Sequence, residues 1–260
     1  MNRIRGGSTI SDRNVSSYRL AERMGQGNLI AKSETIIMQD EFGRNIRANS
    51  MEGVGGMTYA EAAEYCKKNG LTLSFTPESL GQYFNMRILD LMSGQVDRHT
   101  SNFKVMTHQE GSMLYIDSVK GIDNDLAFGM LSMEEIENGY GGQNMDALVS
   151  HSYTGEEVLT VKYITQDMYD AILDYNDQMI EYDHMDLRSK EEIKALQGRI
   201  NAIRKLLQDL VAAGKIRVVK TPEEMRAAYE FTKDYYADIA SKRQSWAANL
   251  AGAHELKSIK

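Results

Sequence analysis

The 260 residues contain one cysteine and two prolines, and no apolar run approaches the roughly 18 residues of a membrane span. Each shortage removes a class of protein. A lone Cys66 permits neither an intrachain disulfide nor a cysteine-rich zinc site, and it fits a reducing, cytoplasmic setting. The opening "MNRIRGGSTISDRN" lacks the apolar core of a signal peptide, so neither export nor a membrane span is expected from the sequence. A basic excess is missing too: Lys+Arg total 30 against Asp+Glu 37, for a net charge of -7 and a pI near 5.4. No Lys/Arg run interleaved with aromatics occurs, which argues against nucleic acid as a partner. What remains is an ordinary globular composition, 42% hydrophobic and 26% charged, enough for a sizeable core in one large domain or two small ones.

Punctuation residues divide the chain. Behind a Gly/Ser/Arg-rich stretch of residues 1 to 13, Asn14 as N-cap and the spacing of Val15, Tyr18, Leu20 and Met24 predict a short helix that stops at Gly25 or Gly27. "ETIIMQDEFGRNIRANSMEGV" predicts two strands joined at Glu41-Phe42-Gly43, because a β-branched run precedes a glycine turn and a second extended run. Gly53, Gly55 and Gly56 then mark a hinge or a close backbone approach. A capping box at Thr58 and Glu61 opens a helix that ends at Asn69-Gly70, and Thr76-Pro77 opens another with Leu80, Phe84, Ile88 and Leu91 on one face. Phe103 to Thr107 and Met113 to Asp117 read as strands of a hairpin around "HQEG". The remainder reads as almost all helix, with capping boxes at Ser189/Glu192 and Thr221/Glu224 and a core stripe of Ile193, Leu196, Ile200, Ile203, Leu207 and Leu210 that Gly214 closes. The 16 methionines read as core filler.

Chemistry concentrates in "LMSGQVDRHTSNF", Leu91 to Phe103, and "KGIDNDLAFG", Lys120 to Gly129. Asp97 and Asn102 fall on a loop between a helix and a strand, and Asp123 follows a hairpin, positions from which a rigid scaffold presents functional groups. Three oxygen-bearing side chains suit a hard cation such as Mg²⁺, which takes its remaining ligands from water and substrate phosphates. Phosphoryl transfer uses such a set, one Asp on the attacking hydroxyl and an Asn and a second Asp on the metal. Plainer readings exist for each residue: Asp97 and Asn102 as loop caps, His99 as a structural histidine, Asp125 as a solvated turn residue or a further ligand. His108 and Asp117 read as hairpin residues, and "ENGYGGQN", Glu137 to Asn144, as a substrate loop or a surface loop.

"VDRHTSNF" followed by "GIDNDLAFG" resembles the catalytic and metal-binding loops of the atypical kinases, the group of phosphoinositide 3- and 4-kinases, Golgi secretory kinases and HipA-like kinases. The five-residue interval from Asp97 to Asn102 matches the kinase pattern. The resemblance implies Asp97 as catalytic aspartate, with Arg98 and His99 completing its triplet and His99 supporting the loop. It implies Asn102 and Asp123 as metal ligands. It further implies ATP and Mg²⁺ as cofactors, with the hinge backbone of Met51, Glu52, Gly53 and Val54 at the adenine edge. The implied fold is α+β and kinase-like, a reduced N-terminal lobe over residues 1–52 and a mainly helical C-terminal lobe over 53–260.

The departures from that pattern are specific. "RGGS", Arg5 to Ser8, is too short for the phosphate-gripping strand pair and offers no strand lysine. Lys32 follows the first helix and reads as a surface residue, and Glu22 and Arg23 are the candidates for the helix partner. The chain is then either a piece completed by an upstream lobe or partner chain, or a minimal member. The expected function is ATP/Mg²⁺-dependent phosphoryl transfer to a hydroxyl, preferentially on a protein, since no basic amphipathic helix serves an anionic membrane. The alternatives are a catalytically inactive nucleotide-binding scaffold and a kinase-fold enzyme of adenylyl transfer or ligation.

Overall fold

The computed structural model describes residues 10–137, 148–151 and 157–257. The chain is a mixed α and β protein. Helix α1 spans Ile10–Arg23, so Asn14 is not its N-cap as the sequence predicts. Asn14 lies a turn inside the helix, where its side-chain oxygen accepts the Asn124 amide at 2.8 Å. A 3-10 turn at Gly27–Leu29 leads to the expected hairpin, β1 Ser33–Gln39 and β2 Asn45–Met51, antiparallel with Ile36 opposite Ala48. Asp40 shapes the turn by accepting the amides of Phe42 and Arg44, both at 2.9 Å. "RGGS" lies outside the described residues.

Beyond the glycine stretch come β3 Met57–Thr58, α2 Tyr59–Asn69, β4 Thr72–Phe75 and α3 Pro77–Ser93. Both predicted N-termini are present: Thr58 and Glu61 form a reciprocal capping box, and Thr76 caps α3 ahead of Pro77. The hairpin follows as β5 Phe103–Glu110 and β6 Met113–Gly121, each strand starting where expected and running past the predicted Thr107 and Asp117. These strands form a four-stranded sheet in the order β3-β5-β6-β4, with β4 parallel to β6. Strand β4 is not foreseen by the sequence, because four residues between two helices are too few to display a period of two.

The expectation that almost all of the chain after the hairpin is helix is qualified by four short strands among the described residues. The order is α4 Met133–Glu137, β7 Val149–His151, β8 Glu157–Leu159, β9 Tyr163–Thr165, α5 Gln166–Asp174, α6 Asp177–His184, α7 Lys190–Ala212, β10 Arg217–Val219 and α8 Pro222–Lys257. Strands β9 and β10 pair in parallel although more than fifty residues separate them, and three-residue strands leave almost no sequence signal. Of "ENGYGGQN", Glu137 closes α4 and residues 138–144 lie outside the described residues. At Thr221 the hydroxyl accepts the Glu224 amide at 3.2 Å, while the Glu224 carboxylate takes the Lys220 amide at 2.7 Å instead of closing the predicted box. Helix α3 is the axis of the molecule, buried through most of its length from Phe84 to Ser93. The α7 stripe from Ile193 to Leu210 is buried as its spacing predicts, each large apolar side chain contributing roughly 1.5–3 kcal/mol.

One buried group makes the fold sensitive to acid. His184 at the end of α6 is fully buried, neither ring nitrogen has a partner, and its ring lies 5.2 Å from that of Phe128. Burial, reinforced by the nearby Arg19 and Arg188 and opposed by Asp183, holds its pKa down at about 4. The unfolded chain therefore binds a proton that the folded one refuses. The resulting stability is intact above the ordinary histidine pKa of about 6.5 and is lost as pH falls toward about 4, at up to ~1.4 kcal/mol per pH unit. Thermal melts at about pH 7 and about pH 5 should show a smaller acid-induced fall in Tm for His184→Leu than for the parent; equal falls would assign the acid sensitivity elsewhere.

Candidate functional site

The loop between α3 and β5 begins where Gly94, at φ 67°, turns the chain out of the helix. Gln95 then joins the two acidic clusters. Its side-chain oxygen accepts the Asp97 amide at 3.2 Å, and its side-chain nitrogen donates to the Asp123 carbonyl at 3.0 Å. Asn102 folds back on the same loop, donating from Nδ2 to the Asp97 carbonyl at 2.7 Å and to Asp97 Oδ2 at 3.3 Å. With Nδ2 so engaged, the amide oxygen is the atom that Asn102 can offer a cation. The Ile122 amide donates to the Asn102 carbonyl at 3.0 Å, so the loops bearing Asp97, Asn102 and Asp123 abut through direct hydrogen bonds.

Arg98 lies beneath them with its side chain 1% exposed. Its Nε and Nη2 grip the Asp90 carboxylate of α3 at 3.0–3.2 Å, and Nη1 donates to the carbonyls of Asn102 and Ile122, the latter at 2.6 Å. Nη2 also donates to the Asn124 side chain. Arg98 is thus a positioning group that joins α3, the Asp97 loop and the Asp123 loop. His99 is half-exposed and accepts the Ser101 amide on Nδ1 at 3.1 Å, with Nε2 3.9 Å from Asp97 Oδ2. It braces the turn.

Residues 122–131 contain no helix or strand, and other buried guanidinium groups hold the rest of the segment. Arg13 of α1 donates to the Ala127 carbonyl and pairs with Glu192 at 2.7 Å. Arg199 of α7 donates to the carbonyls of Gly129 at 2.9 Å and Leu131 at 2.8 Å, and to those of Met92 and Ser93 at the end of α3. Within the segment Asp123 has φ 54° and Phe128 φ 57°, left-handed backbone that costs a bulky residue about 1–3 kcal/mol and persists only where surroundings enforce it. The Asp125 carboxyl is pushed above its usual range by burial, then by a hydrogen bond to Asp123 and by the charges of Asp123 and Asp97. The charges of both loops thus act on the Asp125 carboxyl.

The predicted hinge lies beside a pocket of about 350 Å³ whose lining includes Glu52, Gly53, Val54 and Gly55, and Lys104, Met106, Ser118 and Lys120 of the β5–β6 hairpin. Met51 closes β2 and is absent from that lining. Glu52 Oε1 accepts Lys120 Nζ at 2.7 Å and the Lys32 amide at 2.9 Å, contacts that hold its carboxyl below the usual range, Lys120 foremost. The Lys32 ammonium pairs with Glu34 at 2.7 Å on the surface, and Glu22 accepts the Tyr18 hydroxyl at 2.8 Å. Arg23 pairs with Asp183 at 2.8 Å on the far helix. Gly56 has φ 84°, and a Cβ there would lie 2.4 Å from the Val105 carbonyl, so the glycine stretch is a close approach at that residue.

Several of these residues escape a reading of sequence alone. Asp90, Gln95 and Arg13 stand among ordinary helical or loop residues with nothing to mark them. Arg199 carries a usable signal, since it interrupts the buried α7 stripe between Leu196 and Ile203, where a charge requires a partner.

No family model matches the chain, and no curated protein matches it. Among solved structures it is similar to the crystal structure of a Helicobacter pylori proinflammatory kinase, CtkA, with a TM-score of 0.41 and 10% identity over 80% of this chain and 84% of that one. At that distance the likeness assigns neither family nor activity.

The Arg98 staple predicts a large stability loss on conservative change. Arg98→Lys removes the fork that serves Asp90 and the 122–124 segment and leaves buried polar groups unpaired, at a cost of about 3–5 kcal/mol. A Cβ on Gly121 would meet Arg98 Cζ and Nη2 and Ile30 Cδ1, each at 3.0 Å, so Gly121→Ala should cost about 1–3 kcal/mol through the same group. Urea denaturation measures both; a loss below about 1 kcal/mol for Arg98→Lys would refute the staple.

Proposed function

We propose that the chain is an ATP- and Mg²⁺-dependent phosphotransferase of kinase-like fold that acts on a hydroxyl group, with a protein side chain as acceptor. One observation carries the reading: Asn102 is hydrogen-bonded to Asp97 at 2.7 Å while Gln95 joins Asp97 to Asp123. These loops leave the start of β5 and the end of β6, the two strands that line the pocket beside the hinge. In this reading residues 1–52 form a reduced upper lobe and 53–260 the lower one, with the adenine at the backbone of Glu52, Gly53 and Val54.

The side chains fit a hard cation shared with phosphates. Among the described residues no three His, Cys, Asp or Glu side chains are arranged to hold an ion by themselves. Magnesium does not require such a cage, because it binds through one or two carboxylates together with substrate phosphates and water. Asp123 and the Asn102 amide oxygen would hold it, and a divalent cation there would relieve the repulsion that Asp123 and Asp97 exert on the Asp125 carboxyl. Its contribution when bound is neutralisation and alignment of the phosphates.

Asp97 orients the acceptor hydroxyl and takes its proton as the new oxygen–phosphorus bond forms and the bond between the γ-phosphorus and its bridging oxygen breaks, releasing ADP. Asn102 fixes the Asp97 side chain, Arg98 fixes both loops, and His99 braces the turn between them. Holding the reacting groups in line supplies most of the acceleration in this chemistry.

Asp97→Asn preserves size and shape, so it should leave ATP binding nearly intact and lower transfer in a labelled-ATP assay by about 10² or more. Asp123→Ala should abolish most of the rise in Tm that millimolar ATP with Mg²⁺ gives the parent. Equal transfer by the parent and Asp97→Asn would remove Asp97 from the mechanism, and no Tm response by the parent would favour a non-catalytic scaffold.

A further inference from the structure

An anionic nucleotide needs a cation near its phosphates, and the pocket beside the hinge contains two. Lys104 donates to the Gly56 carbonyl at 3.3 Å, which engages it with the hinge. Lys120 lies opposite it on β6, in the register Lys104↔Lys120, and both line the pocket together with Val105, Met106, Ser118 and Val119. Three residues after Lys120, and two beyond the end of β6 at Gly121, the chain reaches Asp123. A nucleotide with its base at residues 52–54 and its phosphates at Asp123 passes over the end of β6, within reach of the Lys120 ammonium. Glu52 is the acidic residue of the pocket lining, and Asp123 and Asp125 follow the end of β6 at Gly121.

We infer that Lys120 is the phosphate-contacting cation of this pocket and that Glu52 holds its ammonium when no nucleotide is bound; the inference rests on the nucleotide reading above. The Glu52–Lys120 pair, 2.7 Å long, is suited to exchange because its side chains are 36% and 29% exposed. A pair so open to solvent is worth little, and a phosphate oxygen offers Lys120 a stronger, doubly charged partner. Exchange leaves the Glu52 carboxylate beside the phosphates, where it opposes binding. Glu52 keeps the Lys32 amide, so the hinge retains a tether when Lys120 leaves. The lysine that the first helix and β1 do not supply is thereby replaced from the opposite wall of the pocket.

Calorimetric titration of the full chain with adenosine, ADP and ATP, the last two with Mg²⁺, tests the assignment in the parent, Lys120→Met, Lys120→Arg and Glu52→Gln. Lys120→Met should weaken ATP by about tenfold or more, the size of one charge-assisted hydrogen bond, with adenosine unchanged. Lys120→Arg should recover much of the loss, and Glu52→Gln should bind ATP several-fold more tightly than the parent. ATP binding by Lys120→Met within about twofold of the parent would overturn the role of Lys120 and leave the nucleotide reading standing. Loss of adenosine binding as well would mark Lys120 as a structural residue and overturn it too. A parent that binds none of the three would overturn the nucleotide reading, and the role of Lys120 with it.

Discussion

A peptide segment without regular structure has no ladder to satisfy its carbonyls, and residues 122–131 meet that constraint with buried arginine. Arg98 takes the carbonyl of Ile122 and the side chain of Asn124, Arg13 the carbonyl of Ala127, and Arg199 those of Gly129 and Leu131. Burying a guanidinium is costly, since even Arg199 has its pKa pushed down to about 10 by burial. The cost is tolerable only with acceptors fixed in matching directions. The same geometry runs in reverse: the acceptors are fixed because the guanidinium forks are rigid. That reciprocity keeps Asp123 and Phe128 in left-handed backbone.

The three arginines come from three distant parts of the chain, α1, the Asp97 loop and α7, and two of them, Arg98 and Arg199, also bind α3. Helix α1 adds Asn14 on the Asn124 amide. The presentation of Asp97, Asn102 and Asp123 is therefore a property of the whole helical assembly, and the loops have little freedom of their own. The pocket side differs. There the contacts are Glu52 to Lys120 and Lys104 to Gly56, partly solvated and readily exchanged. One end of the site is built to stay and the other to yield.

Much of the fold is legible in the sequence because helix boundaries have local causes. Thr58, Thr76 and Ser189 cap where they are expected to, and the α7 stripe is buried. The hairpin from Phe103 to Gly121 is visible for the same reason, as alternation around a glycine turn. What escapes is non-local. Strand β4 exists because β6 lies beside it, β9 because β10 returns to it, and Asn14 enters α1 because Asn124 needs its oxygen. At the candidate site, Asp97, Asn102 and Asp123 are singled out by type and order, and the structure joins their loops by hydrogen bonds. Asp90, Gln95 and Arg13 are not, since each acts through a partner, Arg98, Asp123 and Ala127 respectively, that its sequence neighbours do not announce.

The glycines between β2 and β3 are unequal. A methyl group at Gly53 or Gly55 would touch nothing within 4 Å, whereas at Gly56 it would strike the Val105 carbonyl from a left-handed backbone. A side chain could be added at the first two positions without a clash, and the third is held bare by the strand across from it. A stretch that looks uniformly pliant thus contains one rigid point, and the seating of β3 against β5, Met57 opposite Val105, depends on the side chain that Gly56 lacks.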